Sequence, residues 1–136
     1  MFLHHRRKEK KVFSIDAMSR TPVYEQIIEQ AEKLIAVGIL KSSDQLPSVR
    51  SLSVELSVNP NTIQKAFSEL TSRGYIISVP GKGSFVSAQA LDIIKSKNRA
   101  RTDEFVILTR KLLQSGLTEA ELIDLIKETA STSKEA

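Results

Sequence analysis

The sequence has no cysteine and no tryptophan, four prolines, five glycines and two histidines. Without cysteine there is no disulfide, no thiolate nucleophile and no cysteine-ligated zinc. Both histidines, His4 and His5, stand side by side near the amino end. Adjacent histidines lack the i, i+4 spacing and the third ligand of a metal site, so no metal is expected. No carboxylate pair or nucleophile–base set converges by spacing, which argues against an enzyme and implies no cofactor. Long apolar runs are missing too: none approaches the ~18–20 residues of a bilayer span, and Met1–Lys11 lacks the apolar stretch of a signal peptide. The expectation is a soluble, unsecreted, cytoplasmic protein without membrane contact. What is present is ordinary globular composition, 40% hydrophobic and 26% charged over 136 residues. That allows one compact domain with a small appendage.

The formal net charge is +4, and its location matters more than its size. Residues 1–20 hold six Lys/Arg against two Asp/Glu, residues 21–87 six against six, and residues 88–136 eight against eight. The whole excess lies at the amino end, in a basic flexible tail over residues 1–11. A solvated arm and a phosphate-contacting arm both fit it. Any nucleic-acid role therefore depends on individual cations in the balanced middle, because phosphate neutralisation is local.

Thr21-Pro22 reads as a cap followed by a proline at the first helical position, and Val23, Ile27, Ala31, Leu34 and Ile35 recur at helical spacing up to Gly38. A polar connection through Pro47 leads to Ser48, which caps a short helix from about Val49 to Leu56 with Leu52 inward and Arg50 outward. After the tight turn Ser57-Val58, Asn59-Pro60 opens a third helix to roughly Arg73, closed by Gly74. Ile63, Ala66, Phe67 and Leu70 form its apolar stripe, leaving Asn61, Thr62, Gln64, Lys65 and Ser68 exposed. No carboxylate stands on that polar face before Glu69, and Asn, Gln and Lys are residue types that read base edges. The same face also fits ordinary solvation. Tyr75–Val79 and Ser84–Val86 read as strands around the turn Pro80-Gly81-Lys82-Gly83, a hairpin with a cationic tip. Gly81-Lys82-Gly83 lacks the glycine spacing and the Lys-Ser/Thr pair of a nucleotide-binding loop.

Beyond Ser87, Leu91, Ile94, Phe105, Leu108 and Leu112 keep helical spacing, interrupted by Asn98 and Arg101. Lys95, Lys97, Arg99 and Arg101 suggest a solvated link, with a stretch lying near DNA as the alternative. Gly116 stops this helix, and Thr118 with Glu121 forms a capping box for a last helix bearing Leu122, Ile123, Leu125 and Ile126. Ser131–Ala136 is expected to fray. Two helices with wide apolar faces cannot close a dry core alone, which points to a partner chain, a homodimer through residues 88–126, with packing back on the N-terminal domain as the alternative.

Helix, short helix, tight turn, capped helix and glycine-tipped hairpin, in that order, describe a winged helix-turn-helix over residues 12–87, so the fold class is α+β with a helical dimerisation segment over 88–136. Pro22-Val23-Tyr24-Glu25-Gln26-Ile27, Leu46-Pro47-Ser48-Val49-Arg50-Ser51-Leu52, Val58-Asn59-Pro60-Asn61-Thr62-Ile63 and Gly81-Lys82-Gly83-Ser84-Phe85-Val86 together resemble the GntR family of bacterial transcription regulators. The short two-helix tail is similar to its YtrA-like branch. The resemblance implies contacts to double-stranded operator DNA from Ser48 and Arg50, from Asn59, Asn61, Thr62, Gln64 and Lys65, and from Gly81, Lys82 and Gly83 in the wing. Arg50 and Lys65 rank first. Arg50 offers a donor fork for phosphate or guanine, Thr62 can hold a phosphate, and Asn61 or Gln64 can read adenine. Pro60 stands where many members carry arginine, and Ser43 where a glycine is frequent.

The implied function is a sequence-specific, homodimeric transcriptional repressor, with control of a transporter-type operon as the branch's frequent mode. A small-molecule effector at the helical interface is compatible with that mode, but no cluster of polar residues identifies one. The alternatives are a winged-helix protein-interaction module and a nonspecific nucleic-acid binder driven by the basic tail.

Overall fold

The computed structural model describes residues 12–134. The basic tail expected over residues 1–11, with His4 and His5, lies outside them. Three helices come first, α1 (Val23–Ala36), α2 (Val49–Leu56) and α3 (Pro60–Ser72). A hairpin of β1 (Ile76–Val79) and β2 (Gly83–Val86) follows, then α4 (Ala90–Gln114) and α5 (Glu119–Lys134). No helix among the described residues is long and apolar enough to cross a membrane.

The caps explain the compact helix-turn-helix. The Ser48 hydroxyl oxygen accepts from the Ser51 amide at 3.0 Å, and the Asn59 side-chain oxygen accepts from the Asn61 amide at 2.8 Å. Each satisfies an amide that the first helical turn leaves unpaired. Ser57, in the left-handed region at φ 54°, ends α2, and the Ser53 hydroxyl closes the turn by donating to the Val58 carbonyl at 2.7 Å. The start of α1 differs from expectation. Pro22 occupies the cap position itself and no side chain caps the helix. The Thr21 carbonyl accepts instead from the side-chain amide of buried Gln26, which also exchanges two hydrogen bonds with the Asp16 backbone. Gln26 thus fastens the segment before α1 to the helix, and Phe13 from that segment enters the core.

One core joins Ile27, Ala31 and Ile35 of α1, Leu52 of α2, Ile63, Ala66, Phe67 and Leu70 of α3, and Ile76 and Val86 of the hairpin. It continues past residue 87, because Ala90 and Ile94 on the first turns of α4 are buried in it. Burying these apolar side chains is the main stabilising term of the domain.

The hairpin pairs Ile76 with Val86 and Val79 with Gly83. A third segment, residues 43–46, lies along the other edge of β2. The Leu46 amide donates to the Ser84 carbonyl, the Val86 amide to the Asp44 carbonyl and the Ser43 amide to the Val86 carbonyl, each at 2.9 Å. Ser43 takes φ 71° there, the conformation for which glycine is suited.

Two features of the tail depart from expectation. The stretch Lys95–Arg101 is no link: α4 is unbroken from Ala90 to Gln114, since Lys, Arg and Ala are good helix formers whether or not they are buried. Residues 131–134 continue α5 rather than fray, and residues 135–136 lie outside the described ones. The capping box is present, the Thr118 hydroxyl oxygen accepting from the Glu121 amide at 3.2 Å. No residue of α4 beyond Ile94 and none of α5 is buried among the described residues. Phe105, Leu108 and Leu112 of α4 and Leu122, Ile123 and Ile126 of α5 line an open apolar groove of about 650 Å³.

Candidate nucleic-acid interface

The face opposite the buried stripe of α3 is where local sequence and tertiary placement meet. Ile63, Ala66, Phe67 and Leu70 point inward, so helical periodicity turns Asn61 and Gln64 outward, where both are exposed. Thr62 is half-buried beside them. The wing then folds back toward this helix. Ser48, Gln64, Gly81, Lys82 and Gly83 line one cleft of about 600 Å³ between the start of α2, α3 and the wing. Half of the ten residues singled out in the sequence are brought together there, from three chain segments.

The remaining candidates are placed differently. Arg50 is exposed on the first turn of α2, and neither it nor Lys82 has an ion-pair partner among the described residues. Both charges are available to an anionic partner. Ser48 and Asn59 spend their side-chain oxygens on caps, which leaves the Ser48 hydroxyl proton and the Asn59 amide hydrogens as donors for phosphate. Lys65 leaves this group. Its ammonium sits 3.7 Å from the centroid of the Tyr24 ring, a cation–π contact toward α1. It lines, with Glu25, Glu29 and Glu69, a polar hollow on the side of α3 toward α1 and α4.

Sequence reasoning missed Gln45. Its side-chain amide donates to the Lys82 carbonyl at 2.9 Å and holds the wing tip to the loop before α2. Gly83, at φ 119°, lies against it: a Cβ there would stand 2.8 Å from Gln45 Nε2. Glycine at this position therefore serves wing packing as well as turn geometry. Gln45 is a single polar residue in a polar loop, and no local signal marks it.

Behind α3 the hollow carries an ionic cluster. One carboxylate oxygen of Glu32 accepts from Arg73 at 2.9 Å and from Lys97 at 3.0 Å, and Arg73 also reaches Glu69 at 2.9 Å. Burial by itself would raise the Glu32 carboxyl, but Lys97, Arg73 and the Tyr75 hydroxyl hold it below its ordinary 4.5. Burial pushes the Tyr75 hydroxyl up, and the Glu32 charge adds to that effect. Hydrogen bonding to Glu69 raises Arg73. Among the described residues no group of three His, Asp or Glu side chains is placed to hold a metal ion.

The arrangement has relatives. The profile described as bacterial regulatory proteins, gntR family, matches residues 23–86. The HTH-type transcriptional repressor YtrA of Bacillus subtilis (strain 168) is 36% identical over 124 residues, which span 90% of this chain and 95% of that protein. Among solved structures, a transcriptional regulator from Oenococcus oeni superposes with a TM-score of 0.65 at 27% identity, covering 85% of this chain and 97% of the other. The DNA-binding domain of AraR, in complex with operator ORX1, gives a TM-score of 0.50 at 29% identity over 56% of this chain and 96% of that domain.

Proposed function

The chain belongs to the GntR family of bacterial regulatory proteins and is a DNA-binding transcriptional regulator rather than an enzyme, and we propose that it acts as a homodimeric, sequence-specific repressor in the cytoplasm. In this reading α3 enters the major groove and the wing reaches toward the minor groove of a pseudo-palindromic operator, with half-sites about one helical turn apart. Arg50 and Lys82 supply the charge, Asn61 and Gln64 read base edges, and Ser48, Asn59, Thr62, Gly81 and Gly83 position the phosphate backbone. Lys65 contributes through the second face of α3, at the margin of this surface.

The observation that carries the reading is the convergence of Ser48, Gln64, Gly81, Lys82 and Gly83 on one cleft, where Lys82 has no ion-pair partner among the described residues. A repressor is supported by the name of the Bacillus subtilis relative, and operator binding by the AraR complex. A transporter-type operon is proposed from family resemblance. The apolar groove of α4 and α5 supports a second copy as the partner: its exposed leucines and isoleucines match a dimer core in chemistry. Its lining holds few polar groups, so an effector seated there would be mostly apolar.

Selection of bound fragments from the source genome by the purified protein, across a salt series and beside Arg50→Ala, tests the function. A few inverted-repeat sites that the variant fails to recover are expected. Random DNA released by moderate salt would overturn sequence specificity.

A further inference from the structure

α4 belongs to two parts of the molecule at once. Ala90 and Ile94 anchor its first turns in the core, and Lys97, one turn on, makes its last polar contact with the winged domain among the described residues, the bond to Glu32. Glu32 is itself braced from α3 by Arg73, which Glu69 holds from the other side. Its side chain is only 17% exposed, so one ionised oxygen is shared by cations from two helices at a partly desolvated point. Beyond it α4 extends for about 25 Å at 1.5 Å per residue and makes no further hydrogen bond or ion pair to the winged domain among the described residues. A tilt of roughly 10° at the bridge would displace the far end by about 4–5 Å, more than the 3.4 Å rise of one base pair.

We propose that the Glu32–Lys97 bridge sets the direction in which α4 leaves the winged domain, and thereby the separation of half-sites that the dimer accepts. The inference rests on the dimeric operator reading above. In this reading the bridge acts through the direction of α4 and not by touching DNA or the partner. Glu32 and Lys97 are positioning residues, and Arg73 ties their geometry to the C-terminal end of the helix that enters the groove. Attraction between the two charges supplies direction as well as affinity, because the carboxylate accepts both cations only when α1, α3 and α4 hold one mutual orientation.

The test uses the full chain and operator variants whose half-sites are moved apart or together by one or two base pairs. In the wild type one spacing binds best. Lys97→Met removes only the α4 side of the cluster and leaves Arg73–Glu32 in place. It is expected to lower the preference for that spacing about threefold or more, with dimer mass, affinity for an isolated half-site and salt dependence unchanged. Lys97→Arg, which retains a cation in reach, is expected to restore the preference. An unchanged spacing profile in Lys97→Met overturns the inference. So does an equal loss at every spacing and at the half-site with a shallower salt dependence, which would make Lys97 a phosphate contact. If the wild type selects no inverted repeat, the dimeric operator reading fails and the inference falls with it.

Discussion

Ile63 and Ile126 are the same residue in helices of comparable length, yet Ile63 has no exposed surface and Ile126 is 52% exposed. The winged domain closes its core with side chains from the segment before α1, from four helices and from the hairpin. Beyond Ile94 the terminal helices carry apolar stripes as well and bury no residue of them. The contrast shows that an apolar stripe states a need for burial without saying who meets it: in one region other parts of the chain do, and in the other a second copy is proposed to.

The largest effect should separate these two uses of isoleucine. Ile63→Ala, which empties a fully buried site, is expected to cost about 2–5 kcal/mol in urea unfolding at any protein concentration. Ile126→Asp is expected to leave the winged domain folded while halving the mass seen by light scattering at micromolar concentration. A monomeric wild type would break the comparison, since the exposed stripe would then need another partner.

Within the winged domain, the two first-ranked cations should also part. Arg50→Ala is expected to weaken operator binding by about 1–3 kcal/mol. Lys65→Ala should weaken it less, because its charge is engaged with Tyr24 on the face toward α1. Equal losses would mean that Lys65 swings away from the ring on binding. A smaller effect concerns the loop that supports the wing. Ser43→Gly relieves a left-handed conformation and should raise stability by roughly 0.5–1 kcal/mol in thermal unfolding, part of the gain being offset by the greater freedom of glycine in the unfolded chain.

The smallest effect is electrostatic. Glu32 is held below its ordinary 4.5 in the folded state, so the folded state favours its charged form. The resulting stability is fully present above that ordinary value and is lost as the pH falls through the lowered one. In acid titrations followed by circular dichroism, the wild type should therefore lose more stability below pH 4.5 than Glu32→Gln does. Parallel curves would show that Glu32 ionisation adds no net stability.

Much of the fold was legible because its signals are local. Ser48 and Asn59 before their helices, the Thr118–Glu121 box, the Ile63–Leu70 stripe and the Gly81–Gly83 turn each act within a few residues, and each is found where the pattern placed it. The family resemblance named ten site residues. The structure brings five of them into one cleft, leaves Arg50 exposed on α2 and turns Lys65 toward Tyr24. Of the three local readings that failed, two have a clear physical reason. Thr21-Pro22 had the residue types of a cap, but Gln26 takes the Thr21 carbonyl and Pro22 stands at the cap. The charges of Lys95–Arg101 suggested a break, though helix propensity is indifferent to their sign.

Residue order by itself determined which segments become helix or hairpin and which side of each is apolar, since backbone amides and side-chain periodicity are satisfied over three or four positions. Only tertiary structure decided what those sides meet. Gln45 reaches Lys82 across 37 residues and Lys97 reaches Glu32 across 65, pairs with no spacing rule between them. Such contacts form only once the core has fixed the angles between helices, and those angles aim α3, hold the wing and direct α4 out of the domain.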